Sequence, residues 1–133
     1  MLFGKETSSL VAEIFSGYLL LLGIPCIVAS ESRQSQLLAG ALNTDDVVIA
    51  ISYSGATQQI VSGIKTAKQS GATTACITSF AGSELAVLSD IRIIIPSKEA
   101  IKGDFPVISR ITQLMVCNAI CSEIASLKDI EKR

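Results

Sequence analysis

The chain contains no histidine and no tryptophan. Without histidine there is no side chain that ordinarily titrates near neutral pH, no Ser-His-Asp arrangement and no imidazole ligand for zinc. Any acid–base chemistry would fall to Glu, Asp, Lys or Tyr. Aromatic residues make up 5% of the sequence, too few to build the stacking platforms that hold nucleobases. Eleven basic side chains stand against twelve acidic ones, for a formal net charge of −1. A strongly basic surface is therefore not available, and no nucleic-acid contact is expected from this chain itself. The apolar run YLLLLGIPCIV (18–28) is interrupted by Gly23 and Pro25 and falls short of the about 20 residues that a membrane span requires. The opening MLFGKETSS lacks both a positively charged leader and a hydrophobic signal core. Cys26, Cys76, Cys117 and Cys121 form no C-x-x-C pair and lie in apolar runs. They read as buried, reduced thiols of a cytoplasmic protein, with no metal site and no cofactor expected.

What the sequence does have is a hydrophobic share of 49% over 133 residues, enough for one domain (1–133) with a real core. DDVVIAIS (45–52), TTACITS (73–79) and DIRIIIP (90–96) are continuous apolar runs of the kind found in parallel strands covered on both faces. PCIVAS (25–30) is a fourth such run, and MLF is the remnant of a fifth, truncated at its start. Helical patterns alternate with them. In the first, Val11, Ile14, Phe15, Tyr18 and Leu22 share a side, and Gly23 ends it. In the segment 57–71, Ile60, Val61, Ile64 and Ala67 share a face, with Gln59, Lys65 and Lys68 turned away. Residues 32–42 and 83–89 predict shorter helices. The alternation predicts a three-layer α/β/α sandwich around a mainly parallel five-stranded sheet. After the polar loop PSKEAIKGDFP (96–106) comes a long helix whose apolar residues Ile108, Ile111, Leu114, Met115, Cys121 and Ile124 cover more than one stripe. Such a helix is either central or buried by a partner, so a homo-oligomer (dimer or tetramer) through this C-terminal helix is expected. The tail KDIEKR reads as solvated.

The strand VVIAI runs directly into SYSGAT (52–57), which places three hydroxyls within six residues where a helix begins. Open α/β sheets bind ligands at the carboxyl ends of their strands. A helix N-terminus adds unpaired N–H donors and partial positive charge, which together favour an anion. Capping by Ser54 or Thr57 needs only one hydroxyl, so phosphate binding is preferred to capping alone. In the first loop, KETSS, Ser8 or Ser9 on its own is an ordinary cap; beside SYSGAT, Ser8 becomes a candidate phosphate ligand.

SYSGAT, its continuation AKQSGATTACITS and the segment SELAVLSDIRIIIP resemble the sugar isomerase (SIS) domain, whose hallmark S-x-S-G-x-T grips a sugar phosphate. FGKETSSLVAEIF resembles that family's first loop, G-x-G-x-S, and ISRITQLMVCNAICSEI resembles the last helix of RpiR-type transcriptional regulators. The resemblance implies the flavodoxin-like SIS fold. It also implies a sugar phosphate held by Ser8, Ser52, Ser54 and Thr57, with backbone N–H groups of Tyr53 and Gly55 and, by a weaker analogy, Glu99 near the sugar. Three departures stand out. Glu6 occupies the position of the family's second loop glycine, and Ala56 replaces an acidic residue common in the hallmark. In addition, no helix-turn-helix domain precedes the first strand. The expected function is a phosphosugar sensor of a transcriptional regulator, with no catalytic residue assigned. The alternative is an aldose–ketose isomerase, disfavoured because no acid and base pair is evident without histidine.

Overall fold

The computed structural model describes residues 1–96 and 107–131. Glu99, proposed near the sugar, lies outside them. Five parallel strands, β1 (Leu2–Gly4), β2 (Val28–Ala29), β3 (Val47–Ile51), β4 (Thr73–Thr78) and β5 (Ile91–Ile94), form one sheet in the order β2-β1-β3-β4-β5. Five helices connect and flank them: α1 (Thr7–Leu21), α2 (Ser32–Gly40), α3 (Gln58–Gln69), α4 (Glu84–Leu88) and α5 (Val107–Glu131). The expected α/β sandwich is thus observed, including the short first strand.

Alternation along the strands divides the core into two halves, because successive side chains point to opposite faces. Phe3, Val48, Ala50 and Cys76 face α2, α3 and α4, where they meet Ala39, Ile60, Val61, Ile64, Ala67 and Leu85. Leu2, Ile49, Ile51 and Ile77 face α1 and α5, where they meet Val11, Ala12, Phe15, Leu19 and Cys117. The face read from the sequence of α3 is the buried one. Lys65 and Lys68, turned outward as expected, pair across to Glu84 at 2.7 Å and Asp90 at 2.6 Å.

Two expectations about helices need correction. On α1 the buried residues are Ser8, Val11, Ala12, Phe15 and Leu19, while Ile14 and Tyr18 are exposed. The helix is apolar around most of its girth, so periodicity does not decide which side meets the sheet. The small side chains of Ser8 and Ala12 turn inward, and the bulk stays out. The tail beyond Leu127 is not simply solvated, since residues 128–131 continue α5 and Lys128 Nζ donates to the Leu22 carbonyl at the end of α1. A cation on the last carbonyls of a helix complements its negative end. Burial of α5 is partial: Ser109, Gln113 and Cys117 are buried, whereas Ile108, Ile111, Met115 and Leu127 are exposed.

Candidate functional site

Strand order reverses direction at β1, whose neighbours are β2 on one side and β3 on the other. The loops leaving the carboxyl ends of β1 and β3 diverge to opposite faces there and open a crevice, the usual ligand position in open parallel sheets. Gly4 and Ile51, the last residues of the two strands, are register partners, so the loop Lys5–Glu6 and the loop Ser52–Thr57 lie side by side.

The second loop is tightly wound. The Ser52 N–H continues the ladder to the Ile77 carbonyl at 3.0 Å, and the residue is only 4% exposed. Ser52 Oγ accepts from the Gly55 N–H at 3.1 Å and lies 3.4 Å from Thr57 Oγ1. Ser54 is exposed, and its Oγ accepts from the Ala56 N–H at 3.2 Å. Thr57 is the N-cap residue of α3, yet its side chain makes no capping hydrogen bond. The Tyr53 carbonyl accepts from the Ser79 N–H at 3.0 Å and Thr78 Oγ1 at 3.1 Å, and its ring meets Phe80 edge-on at 5.5 Å. Gly55 has φ +62, and an added Cβ would stand 2.2 Å from Ser83 Oγ and 2.6 Å from Ser83 Cβ. Neither the conformation nor the space admits a side chain there. The loop is thereby clamped onto the β4–α4 connection, which also donates the Leu85 N–H to the Gly55 carbonyl at 3.0 Å.

The first loop departs from simple capping as well. Glu6, not Ser8 or Ser9, is the N-cap of α1, and it makes no side-chain capping bond. Ser9 Oγ donates to the Glu6 carbonyl at 2.6 Å, and the Ser8 N–H donates to the Lys5 carbonyl at 3.0 Å. Glu6 adopts φ 54 and ψ −126, and among the described residues it is the one non-glycine residue with positive φ. This is territory that glycine enters freely and other residues enter at a cost.

Ser8, 6% exposed, is engaged by a residue that the sequence did not suggest. Arg110 Nη1, from the first turn of α5, donates to Ser8 Oγ and also to Gln113 Oε1 at 3.0 Å. The available signal was composition: Arg110 is the one basic residue between positions 107 and 127. The structure therefore brings Ser8 to one side of the crevice and Ser52, Tyr53, Ser54, Gly55 and Thr57 to the other, with Arg110 behind Ser8.

The sequence profile of the SIS domain matches residues 1–122. The chain belongs to the SIS domain family. Among individual proteins, this SIS domain is 38% identical over 107 residues to an uncharacterized HTH-type transcriptional regulator of Caldanaerobacter subterraneus subsp. tengcongensis, a match that covers 80% of this chain and 38% of that protein. It is 28% identical over 126 residues to the HTH-type transcriptional regulator RpiR of Escherichia coli K12, covering 95% of this chain and 43% of that one. A solved Escherichia coli CFT073 structure in complex with a sugar phosphate superposes with a TM-score of 0.86 at 28% identity, covering 96% of this chain and 69% of the other. The SIS domain described here spans 38% and 43% of the length of the two regulators.

Proposed function

We propose that this SIS domain binds a sugar phosphate and serves as the ligand-sensing part of an RpiR-type transcriptional regulator. The observation that carries the reading is the pairing of two hydroxyl-bearing loops at the strand-order reversal, one clamped by a glycine that admits no side chain. Serine and threonine hydroxyls with helix N-terminal N–H groups suit a phosphate monoester, which brings nearly two negative charges and strong acceptor oxygens. In binding, oxygens of the phosphate take over the donors now satisfied inside the loop, the Gly55 N–H at Ser52 and the Ala56 N–H at Ser54. The similarity to two HTH-type regulators and to a structure holding a sugar phosphate supports the same reading.

A second copy of the chain is part of this reading. α1 and α5 pack together on one face of the sheet and expose Leu10, Ile14, Leu21, Ile111 and Met115, with Leu21 at 85% and Met115 at 65%. Pairing of two such faces would bury this surface and join the C-terminal helices. Among the described residues no helix is long and apolar enough to cross a membrane.

The test is a thermal-shift screen with pentose, hexose and N-acetylhexosamine phosphates beside the corresponding free sugars. A ligand that binds the folded state stabilises it by RT ln(1 + [L]/Kd) and raises the transition accordingly. At least one phosphate should stabilise the chain and its free sugar should not; stabilisation by free sugars alone would refute the reading.

A further inference from the structure

We propose that Arg110 is the positive charge of the phosphate site, acting through Ser8 as a positioning residue. This rests on the phosphate reading above. A serine hydroxyl carries one proton and can accept at its oxygen. Arg110 Nη1 donates to Ser8 Oγ, and the Ser8 main-chain N–H is already committed to Lys5, so the hydroxyl proton is what the residue has left to offer. Donation from a cation into the oxygen makes that proton a stronger donor and fixes where it points.

The guanidinium is itself held. Its Nη1 also donates to Gln113 Oε1 at 3.0 Å, one turn along α5, and Gln113 is 2% exposed. The Gln113 amide nitrogen is buried with no hydrogen-bond partner among the described residues. Buried polar atoms in folded proteins are nearly always satisfied, so an unmatched donor beside a guanidinium marks a place made for an acceptor. The opposite loop contributes only neutral hydroxyls and amides, whereas the ligand would bring nearly two negative charges. An arginine is protonated at every working pH and keeps its donors in a rigid plane, which suits it to this task. Its charge also opposes that of Glu6, whose carboxylate stands in the same loop as Ser8 and disfavours an anion. Sequence separation hides the arrangement: the two partners are 102 residues apart.

The experiment uses inorganic phosphate as probe, because it reads recognition of the anion whatever the sugar. Thermal stabilisation of the full chain is titrated with phosphate for the unaltered protein and for Ser54→Ala, Arg110→Gln and Arg110→Lys. The unaltered protein should be stabilised, Ser54→Ala less so, and Arg110→Gln should need at least ten-fold more phosphate. Arg110→Lys should recover most of the loss, which a packing role for the arginine would not predict. Equal phosphate dependence in Arg110→Gln and the unaltered protein would overturn the proposal and leave the phosphate site standing. Absence of stabilisation in the unaltered protein, or none of the loss in Ser54→Ala, would overturn the site and the proposal with it. Should Arg110→Gln fail to fold, Arg110→Lys is compared with and without Ser8→Ala. A two- to five-fold effect that disappears in the Ser8→Ala background supports action through Ser8, and an unchanged effect refutes it.

Discussion

Replacing Glu6 by glycine should stabilise this protein and tighten its hold on phosphate, and the two effects can be separated. At φ 54 and ψ −126 a side chain occupies a region that costs about 1–3 kcal/mol for a residue with a Cβ. Glycine removes that cost but adds backbone freedom to the unfolded chain, worth about 0.4–1 kcal/mol against folding. The net gain is about 1 kcal/mol, which for a domain of this size raises the melting temperature by about 3–5 °C. The charge acts separately. The Glu6 carboxylate is exposed, so a water-like dielectric applies, and a unit charge about 8 Å away then interacts by about 0.5 kcal/mol. Against a phosphate of nearly two charges this amounts to about a two- to five-fold change in affinity. Glu6→Gln isolates the electrostatic part. It should tighten phosphate binding while leaving the strain in place, and should lower the melting temperature slightly because a carboxylate at the start of α1 complements the positive end of the helix dipole. Differential scanning calorimetry and phosphate titration of both variants make the test. A lower melting temperature for Glu6→Gly would show that the backbone there is not in the positive-φ region. Unchanged phosphate affinity in both variants would place the first loop away from the ligand and return Ser8 to a purely structural role.

Other outcomes follow from single contacts. Gly55→Ala should cost about 2–5 kcal/mol by urea unfolding, from left-handed strain plus the collision with Ser83, and should abolish phosphate binding. Asp90 is held down to about 2 by Lys68 first and by its two bonds to Thr74. Its folded value lies below the usual carboxylate value, so its contribution is present above about pH 4 and lost as pH falls toward 2. Asp90→Asn should accordingly remove part of the acid destabilisation seen over that range by circular dichroism. Burial, with Cys121 nearby, raises the Cys117 thiol to about 12, so iodoacetamide at pH 8 should leave Cys117 unmodified until the protein unfolds; prompt labelling of the native protein would contradict this packing. Met115→Glu on the exposed face of α5 should convert the predicted dimer to monomer in sedimentation, and an unchanged mass would exclude that face.

Much of this was legible in the residues themselves. The continuous runs at 47–51, 73–78 and 91–94 announced buried parallel strands because both faces are covered, and SYSGAT marked its own site because hydroxyls are out of place at the end of an apolar strand. The inward side of α1 was not legible, since a helix apolar all around offers no contrast for periodicity to read; Ile14 and Tyr18 face outward while Ser8 and Ala12 face in. Arg110 was missed for a different reason. Its partner lies at the other end of the chain, and only the packing of α1 against α5 brings them together. The strain at Glu6 is a property of the backbone path, and composition carried no trace of it beyond the resemblance that expected glycine there.

The central claim is that the two loops at the strand-order reversal recognise the phosphate of a sugar phosphate. Isothermal titration calorimetry of the best phosphosugar from the thermal screen, beside its dephosphorylated sugar, tests this most directly when repeated on Ser54→Ala. At least ten-fold weaker binding of the free sugar is expected, with Ser54→Ala weakening only the phosphorylated ligand and leaving the melting temperature of the unliganded protein nearly unchanged. Equal affinities of the unaltered protein for the two ligands would contradict the account.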